Sequence, residues 1–405
     1  MKGITKTQLY FFLILPFIEP QIFKTPGFAV FDKVYLVAKL LAAFLIILLY
    51  INKKYFNVSK YVILMSLTQG CIFIGTLING GSIIRFTGPA IASIVVIIYG
   101  EMLPNYNWKK IIKFIEKYLT LFFIINLLTI PLRELGVTIL VKNETTFLGI
   151  DNRWIYFLLP WTIIAMINDY IKNNKLTYSI IVYVVSFLSL LYVWSAGAMI
   201  AYIILPIAYF ILIRVYAHKN IISRFISRIV FWSYLLINFL LVNNIILLSL
   251  KPIINNVLHK DITLAGRIYL WESVLDVLKS NPLFGIGFQT HDYDKLFFYE
   301  SSGFIPATRV NHPHNHLAYV AYHGGWLALV AFLIFVYAFM TYIDKINDKG
   351  IAIICLSSAI AIFSAALVDT LDFSLFYLLI PIIIVLNKDN QLRFYRMIKK
   401  SNKEI

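Results

Sequence analysis

The chain has 405 residues, of which 60% are hydrophobic and only 14% charged, and its mean hydropathy is +0.79. This composition excludes an ordinary soluble globular protein and predicts an integral membrane protein. The formal net charge of +16 would suit a nucleic-acid-binding protein, but the basic residues lie between apolar runs. Membrane topology explains that distribution better, so no nucleic acid partner is expected.

Apolar stretches of about 20 residues, the length that crosses a bilayer as a helix, recur along the whole chain. Because lipid-facing backbone must satisfy its own hydrogen bonds, the predicted fold class is all-α and polytopic. About twelve transmembrane helices are predicted, in a single membrane domain over residues 1–405. The predicted spans are 8–24, 31–51, 60–79, 83–103, 114–132, 154–171, 176–194, 197–214, 228–250, 317–342, 350–370 and 373–387.

Basic residues set the predicted orientation. They collect in alternate turns between the predicted spans, for example over 53–60 and 109–117, and again in the tail after residue 387. Cytoplasmic loops carry such an excess of lysine and arginine, so both termini are predicted to be cytoplasmic. The first apolar stretch, 8–24, has no small-residue cleavage site and is expected to remain as the first span.

Two long external segments are predicted, 133–153 and 251–316, and segments of this length are usually functional. Within the second, the sequence LAGRIYLWESVLDVLKS at 264–280 predicts an amphipathic helix at the membrane interface. One face of that helix carries Arg267, Leu270, Trp271, Val274, Leu275 and Leu278. The sequence FGIGF at 284–288 then predicts a glycine-permitted bend back toward the bundle.

Histidines alternate with other residues at the start of the tenth predicted span, in NHPHNHLAYVAYHGG at 311–325. Asn315 is a favoured N-cap, which would place His314 just outside a helix N-terminus. The partial positive charge there favours a neutral imidazole, which can take a proton from a hydroxyl group. His316 and His323 are predicted to share one face of the span, with Tyr319 between them.

Two other interpretations of the histidines stay open. Interfacial histidines and tyrosines often only anchor helix ends. A metal site is the second alternative, with His312, His314 and His316 as ligands and the D-x-D pair of Asp292 and Asp294 nearby. A helix that starts at Asn315 would turn His316 away from the other two rings, so no metal is expected.

Arginines supply candidate anion-binding groups. Arg267 lies on the apolar stripe of its helix, and a permanently charged guanidinium there needs an anion. Arg153 and Arg85 are predicted on the same outer side. The alternatives are an ordinary interfacial residue for Arg153 and an ion pair with a carboxylate such as Glu19 for Arg85. A neutral base beside anion binders suggests chemistry on a phosphate-bearing lipid, such as a sugar linked to a polyprenyl pyrophosphate.

Three motifs in order, GR…W at 266–271, NPLFGIGF at 281–288 and HPHNHLAYVAYHGG at 312–325, resemble the O-antigen ligase and Wzy-type polysaccharide polymerase superfamily. Weaker similarity extends to 147–160 and 194–202. The resemblance implies an inverting, metal-independent glycosyltransferase of the GT-C type that needs no cofactor. It implies an undecaprenyl-pyrophosphate-linked oligosaccharide as substrate, a bacterial inner or plasma membrane, and an active site in the 251–316 loop facing the periplasm or cell exterior.

By position, the resemblance implies that His314 is the general base and that Arg267 holds pyrophosphate, with Arg153 a less firm match. The chain departs from the family pattern at His323, where an acidic residue is common, and at Ser195-Ala196-Gly197, where the family often has a basic residue. The candidate catalytic residues are His314 and Arg267. The candidate substrate-binding residues are Arg153, Arg85, His316, Trp271 and Tyr319, and Tyr299 is a further candidate surface for sugar stacking.

The predicted function is that of a repeat-unit polymerase for O-antigen, capsule or exopolysaccharide, with a flippase and a chain-length regulator as expected partner proteins. The chain is rich in Ile, Lys, Asn, Tyr and Phe, which fits the AT-rich gene clusters that often encode polymerases. The alternative is a ligase that moves the glycan onto lipid A core or protein. A transporter of the lipid-linked oligosaccharide and a scaffold of the cell-wall machinery are the rivals from other classes.

Overall fold

Helices form nearly all of the regular structure. The computed structural model describes residues 5–52, 58–134, 145–173, 175–217, 225–245, 251, 266–302, 312–371 and 374–401. Strand pairing in these residues is limited to an isolated bridge between Thr146 and Gly149. The all-α polytopic fold class is therefore confirmed. Parts of the predicted external segments, namely 135–144, 252–265 and 303–311, lie outside the described residues.

The described residues contain fourteen α-helices, numbered in chain order. They are α1 (Lys6–Phe12), α2 (Ala29–Ile51), α3 (Lys60–Ile78), α4 (Ile83–Met102), α5 (Trp108–Glu134), α6 (Ile155–Asn173), α7 (Thr177–Tyr192), α8 (Ala196–Ala217), α9 (Ile226–Val242), α10 (Arg267–Ser280), α11 (His291–Ser302), α12 (His316–Ile343), α13 (Lys349–Ala366) and α14 (Ser374–Ser401).

Seven helices in the described part of the chain are long and apolar enough to cross a bilayer: α2, α3, α4, α6, α8, α12 and α13. Shorter apolar helices are α7, α9 and the first half of α14. Each predicted span after the first overlaps one of the helices. The total of about twelve crossings stays a prediction.

The first predicted span, 8–24, is not a continuous helix, so that prediction is wrong. Helix α1 ends at Phe12 and is followed by short 3-10 segments at Leu15–Phe17, Gln21–Lys24 and Pro26–Phe28. Pro16 and Pro20 have no backbone N–H to donate, which prevents an uninterrupted helix here. We call residues 13–28 the bent segment.

The predicted bend at 284–288 is confirmed, and it lies between α3 and α12. Gly285 and Gly287 adopt positive φ angles of 59° and 70°. The N–H of Ile286 donates to the carbonyl of Tyr322 at 3.0 Å, and the N–H of Gly287 donates to that of His323 at 3.0 Å. Helix α12 is itself kinked at Gly325 (φ 65°). The NPLFGIGF motif thus fastens the outer segment to the membrane bundle.

The predicted amphipathic helix is confirmed as α10. Its buried residues are Leu270, Trp271, Val274, Val277 and Leu278, which form one face. That face packs with residues of α12, including Ala318, Ala321 and Tyr322, in a separate hydrophobic cluster. The N-terminus of α10, where Arg267 stands, is therefore held beside the start of α12.

Candidate functional site

His314 lies immediately before α12, as the sequence predicts. Asn315 is the N-cap, and its side-chain oxygen accepts from the N–H of Ala318 at 2.9 Å. His314 has a φ of 49°, in the left-handed region that non-glycine residues rarely adopt. A strained backbone of this kind persists only where its surroundings fix it, which is common at functional sites.

Three contacts fix the turn that carries His314. The indole N–H of Trp271 on α10 donates to the carbonyl of Pro313 at 2.9 Å. The amide of Asn315 donates to the carbonyl of Leu367 at 3.1 Å. The hydroxyl of Thr370 lies 3.2 Å from Nδ1 of His312. The turn before α12 is thereby joined both to α10 and to the turn that follows α13.

Asp369, in the turn after α13, faces His314. Its Oδ1 lies 3.4 Å from Nδ1 of His314, an ion-pair distance rather than a hydrogen bond, and the two side chains are 15% and 18% exposed. Burial alone would raise the pKa of the Asp369 carboxyl. Contact with His314 and the nearby His312 and Arg267 outweigh it, so this pKa lies below its usual value.

The sequence analysis missed Asp369, although one signal was available. A carboxylate at the outer end of the predicted span 350–370, on the same side as His314, is unusual enough to mark a functional position. Nothing in the local sequence indicates which residue it contacts.

Arg267 and Asp369 line the same small cavity. Its other polar walls come from Asn152 and Ser195, and the Ser195 hydroxyl donates to Oδ1 of Asn152 at 3.2 Å. Burial lowers the pKa of the Arg267 guanidinium, and Asp369 opposes that shift. The turn at 195–197 therefore reaches the site even though it lacks the family's basic residue.

Arg153 is close to the same group of residues. It stands in a 3-10 helix at Asp151–Trp154. The pKa of His312 lies well below its usual value because of burial, the neighbouring His314, and the charges of Arg153 and Arg267, although Asp369 acts in the opposite direction. The structure thus brings His314 and Arg267 to a common site, and Arg153 lies within electrostatic range of it.

The arrangement of His314 and Asp369 is suited to proton transfer. A carboxylate next to Nδ1 favours the tautomer with the proton on that nitrogen, which leaves Nε2 as the proton acceptor. The same carboxylate stabilises the imidazolium that forms when Nε2 takes a proton, as in hydrolase triads. Arg267 supplies positive charge beside this pair for a negatively charged leaving group.

The three side chains His312, His314 and Asp369 could also hold a metal ion, since one ligand atom from each lies within 4.8 Å of the others. This set differs from the one considered from the sequence. His316 packs against Phe332, with ring centroids 5.0 Å apart, and Asp294 is committed to an ion pair. The positive charges of Arg153 and Arg267 near His312 disfavour a cation at this place.

Arg85 lies apart from this group, in an ion pair. It donates to Oδ2 of Asp294 at 2.7 Å and to the carbonyl of Gln289. The partner that the sequence suggested, Glu19, instead pairs with Lys39 at 3.2 Å. The guanidinium of Arg85 thus fastens α11 and the segment that precedes it to α4.

The structure places the rings of three predicted substrate-binding residues, Trp271, His316 and Tyr319, in different environments. Trp271 is fully buried, so the prediction that it offers a face for sugar stacking is corrected: it supports the histidine turn instead. His316 is also buried. Tyr319 is half-buried between the rings of His316 and His323, at 6.2 Å and 4.5 Å between centroids. The predicted shared face of His316, Tyr319 and His323 is confirmed.

Comparison with protein families gives a match that runs from α7 into α12. Residues 181–333 match the family model described as O-antigen ligase, which confirms the resemblance carried by the sequence motifs. The matched interval includes Arg267 and His314 but not Arg153 or Asp369. Comparisons with curated proteins and with solved structures give no match.

Proposed function

From the O-antigen ligase domain at residues 181–333, we propose that this membrane protein is a repeat-unit polymerase. It transfers a growing glycan from undecaprenyl pyrophosphate to a hydroxyl of a new lipid-linked repeat unit on the outer face of a bacterial inner or plasma membrane. The observation that carries the proposal is the approach of Asp369 to Nδ1 of His314 at 3.4 Å, beside the cavity that Arg267 lines.

In this proposal, Nε2 of His314 removes the proton from the acceptor hydroxyl as its oxygen attacks the anomeric carbon. The bond between that carbon and the pyrophosphate oxygen breaks, and undecaprenyl pyrophosphate leaves with the electron pair. Attack from the face opposite the leaving group inverts the anomeric centre. Asp369 stabilises the imidazolium, and proton transfer of this kind contributes about 100- to 10,000-fold to a rate.

Arg267 and Arg153 neutralise the charge that develops on the departing pyrophosphate. Fixed positive charge at this point is usually the largest single contribution to such a reaction. Since the arginines provide it, the transfer needs no divalent cation. Arg85 is left out of this role because Asp294 already neutralises it. His316 and Tyr319, which line a cavity together, contact the lipid-linked substrate.

A ligase is the second candidate, and the matching family, which is described as O-antigen ligase, supports it equally. Both enzymes use the same donor and the same chemistry and differ only in the acceptor. The composition of the chain is our reason for preferring the polymerase.

The test is a reaction in which purified protein receives lipid-linked repeat unit and no other acceptor. A polymerase converts it to a ladder of products, whereas a ligase produces none until lipid A core or another acceptor is added. EDTA in the reaction tests independence from metal, since activity that disappears with EDTA and returns with a divalent cation would contradict it.

Replacing His314 with Ala is expected to abolish the ladder while the protein level stays unchanged. His291→Ala is the matched control, since His291 is exposed on α11. Normal product length in the His314→Ala variant would remove the base assignment.

A further inference from the structure

A second polar cavity adjoins the first, on the other side of the 3-10 helix at Asp151–Trp154. Asn152 lines the cavity that holds Arg267 and Asp369. The next residue, Arg153, instead donates to Oε1 of Gln21 at 3.0 Å. Gln21 lines a cavity among the bent segment, α2, α4 and α14, and the two cavities have no lining residue in common.

Four charged residues line this second cavity: Glu19 and Lys24 from the bent segment, and Asp32 and Lys39 from α2. They form one electrostatic group, because Glu19, Lys39 and Asp32 all act on Lys24, as does Arg153. Charges in a membrane bundle are costly and usually mark a functional site. The mechanism proposed above uses none of the four.

Glu19 has an unsatisfied oxygen. The residue is 5% exposed, and its Oε2 accepts from Lys39 at 3.2 Å. Its Oε1 is buried and accepts from no donor group among the described residues, and the carboxyl group of Asp32 lies within hydrogen-bonding range of Glu19. A buried carboxylate oxygen without a donor is costly, so a ligand donor is expected at this position.

The residues that line this second cavity favour a carbohydrate ligand over a phosphate ligand. Two carboxylates balance two ammonium groups, and the carboxylates would repel a diphosphate. Carboxylates accept from hydroxyl groups, and ammonium groups donate to them. Phe17 and Tyr377 add apolar ring surface to the same cavity, which suits the apolar face of a sugar ring.

We propose that this cavity is a carbohydrate subsite, in which Glu19 and Asp32 bind hydroxyl groups of the acceptor repeat unit. The inference rests on the proposed function for the identity of that sugar. Asn152 lines the cavity of the transfer site, and its neighbour Arg153 donates to Gln21 in the wall of the subsite, so adjacent residues join the two cavities. Two adjoining sites are what a transfer between two lipid-linked glycans requires.

The test measures binding rather than turnover, with the full-length protein in nanodiscs. The probe is the repeat-unit oligosaccharide released by mild acid from the lipid-linked pool of host cells that lack this protein. Wild type and Arg267→Ala are expected to bind it equally. Glu19→Gln and Asp32→Asn are each expected to weaken binding at least about tenfold, the effect of losing one charged hydrogen bond.

Asp276→Asn is the control, since Asp276 is an exposed carboxylate on α10, and its affinity should equal that of wild type. Asp32 is half-buried, so its variant keeps the test valid if Glu19→Gln does not fold. Failure of wild type to bind, or equal affinity in the folded Glu19 and Asp32 variants, would overturn the subsite.

Inorganic pyrophosphate is the second probe. Its affinity should fall in Arg267→Ala and stay unchanged in Asp32→Asn, and the reverse result would make the second cavity a phosphate site and overturn the inference.

The two proposals fail separately. A protein that forms no glycan product yet loses oligosaccharide affinity in Asp32→Asn keeps the subsite and loses the polymerase. A ladder with unchanged affinity in Asp32→Asn does the opposite.

Discussion

The contact between His314 and Asp369 joins residues from opposite ends of a pair of helices. Asn315 as N-cap, and hence the position of His314, follows from the local sequence because capping depends on neighbouring residues. The partner carboxylate does not follow, since its place depends on how α13 packs beside α12. The sequence therefore predicts that His314 is the general base, but it does not predict the carboxylate that orients the imidazole ring.

Asp369→Asn should lower the transfer rate by about 100- to 10,000-fold, the range for general acid–base catalysis. The amide has almost the same shape, but it cannot stabilise the imidazolium and can hold the ring in the wrong tautomer. The initial rate of ladder formation in the purified system checks this. Asp292→Asn, which changes an exposed carboxylate on α11, should keep the wild-type rate. An Asp369→Asn enzyme with that rate would show that His314 acts without the carboxylate.

Arg267→Lys tests whether charge alone is enough at the start of α10. Lysine keeps the positive charge but loses the planar fork that matches two phosphate oxygens, so we expect a sharp fall in rate, about tenfold or more. Arg228→Lys is the comparison, because Arg228 lies in an ion pair with Asp344 far from His314 in the chain. Full activity in Arg267→Lys would indicate a simple electrostatic anchor.

Among the elements, the long apolar helices and α10 follow directly from residue periodicity. The bent segment does not, because its composition between residues 13 and 28 is apolar enough for a span. Pro16 and Pro20 were the signal against a helix there. The sequence does not show what the bend achieves. In the structure it places Glu19 and Lys24 in the wall of a cavity.

Gly285→Ala should destabilise the connection between the outer segment and α12. The positive φ of 59° is unfavourable for alanine, and the added methyl group would overlap the carbonyl oxygen of Tyr322. Backbone strain of this kind costs about 1–3 kcal/mol. Thermal unfolding of the protein in detergent should therefore begin at a lower temperature.

Gly70→Ala in α3 is the matched control, because no atom lies within 4 Å of the added methyl group. Alanine is also the better helix former, so this variant should be as stable as wild type or slightly more stable. Equal stability of the Gly285 and Gly70 variants would mean that the NPLFGIGF segment rearranges without cost.

At the scale of the whole molecule, the candidate residues come from four places in the chain. Arg153 precedes α6, Arg267 begins α10, His314 precedes α12 and Asp369 follows α13. They meet because each lies at a helix end on one side of the bundle. The predicted spans and the basic residues in alternate turns were enough to predict that the arginines and His314 share one side of the membrane. The distances between these side chains depend on how the helices pack.

The proposed reaction takes place on the outer face of the membrane, so the orientation of the bundle tests the proposal. The test starts from a Cys71→Ser, Cys355→Ser background, since both native cysteines are free thiols. Single cysteines then replace Asp292 on α11 and Lys175 between α6 and α7, both of which are exposed. In intact cells a membrane-impermeant maleimide should label position 292, and it should label position 175 only after permeabilisation, because basic turns stay cytoplasmic. The reverse pattern would place His314 where nucleotide-activated sugars are at hand, and a polyprenyl pyrophosphate donor would then have no advantage.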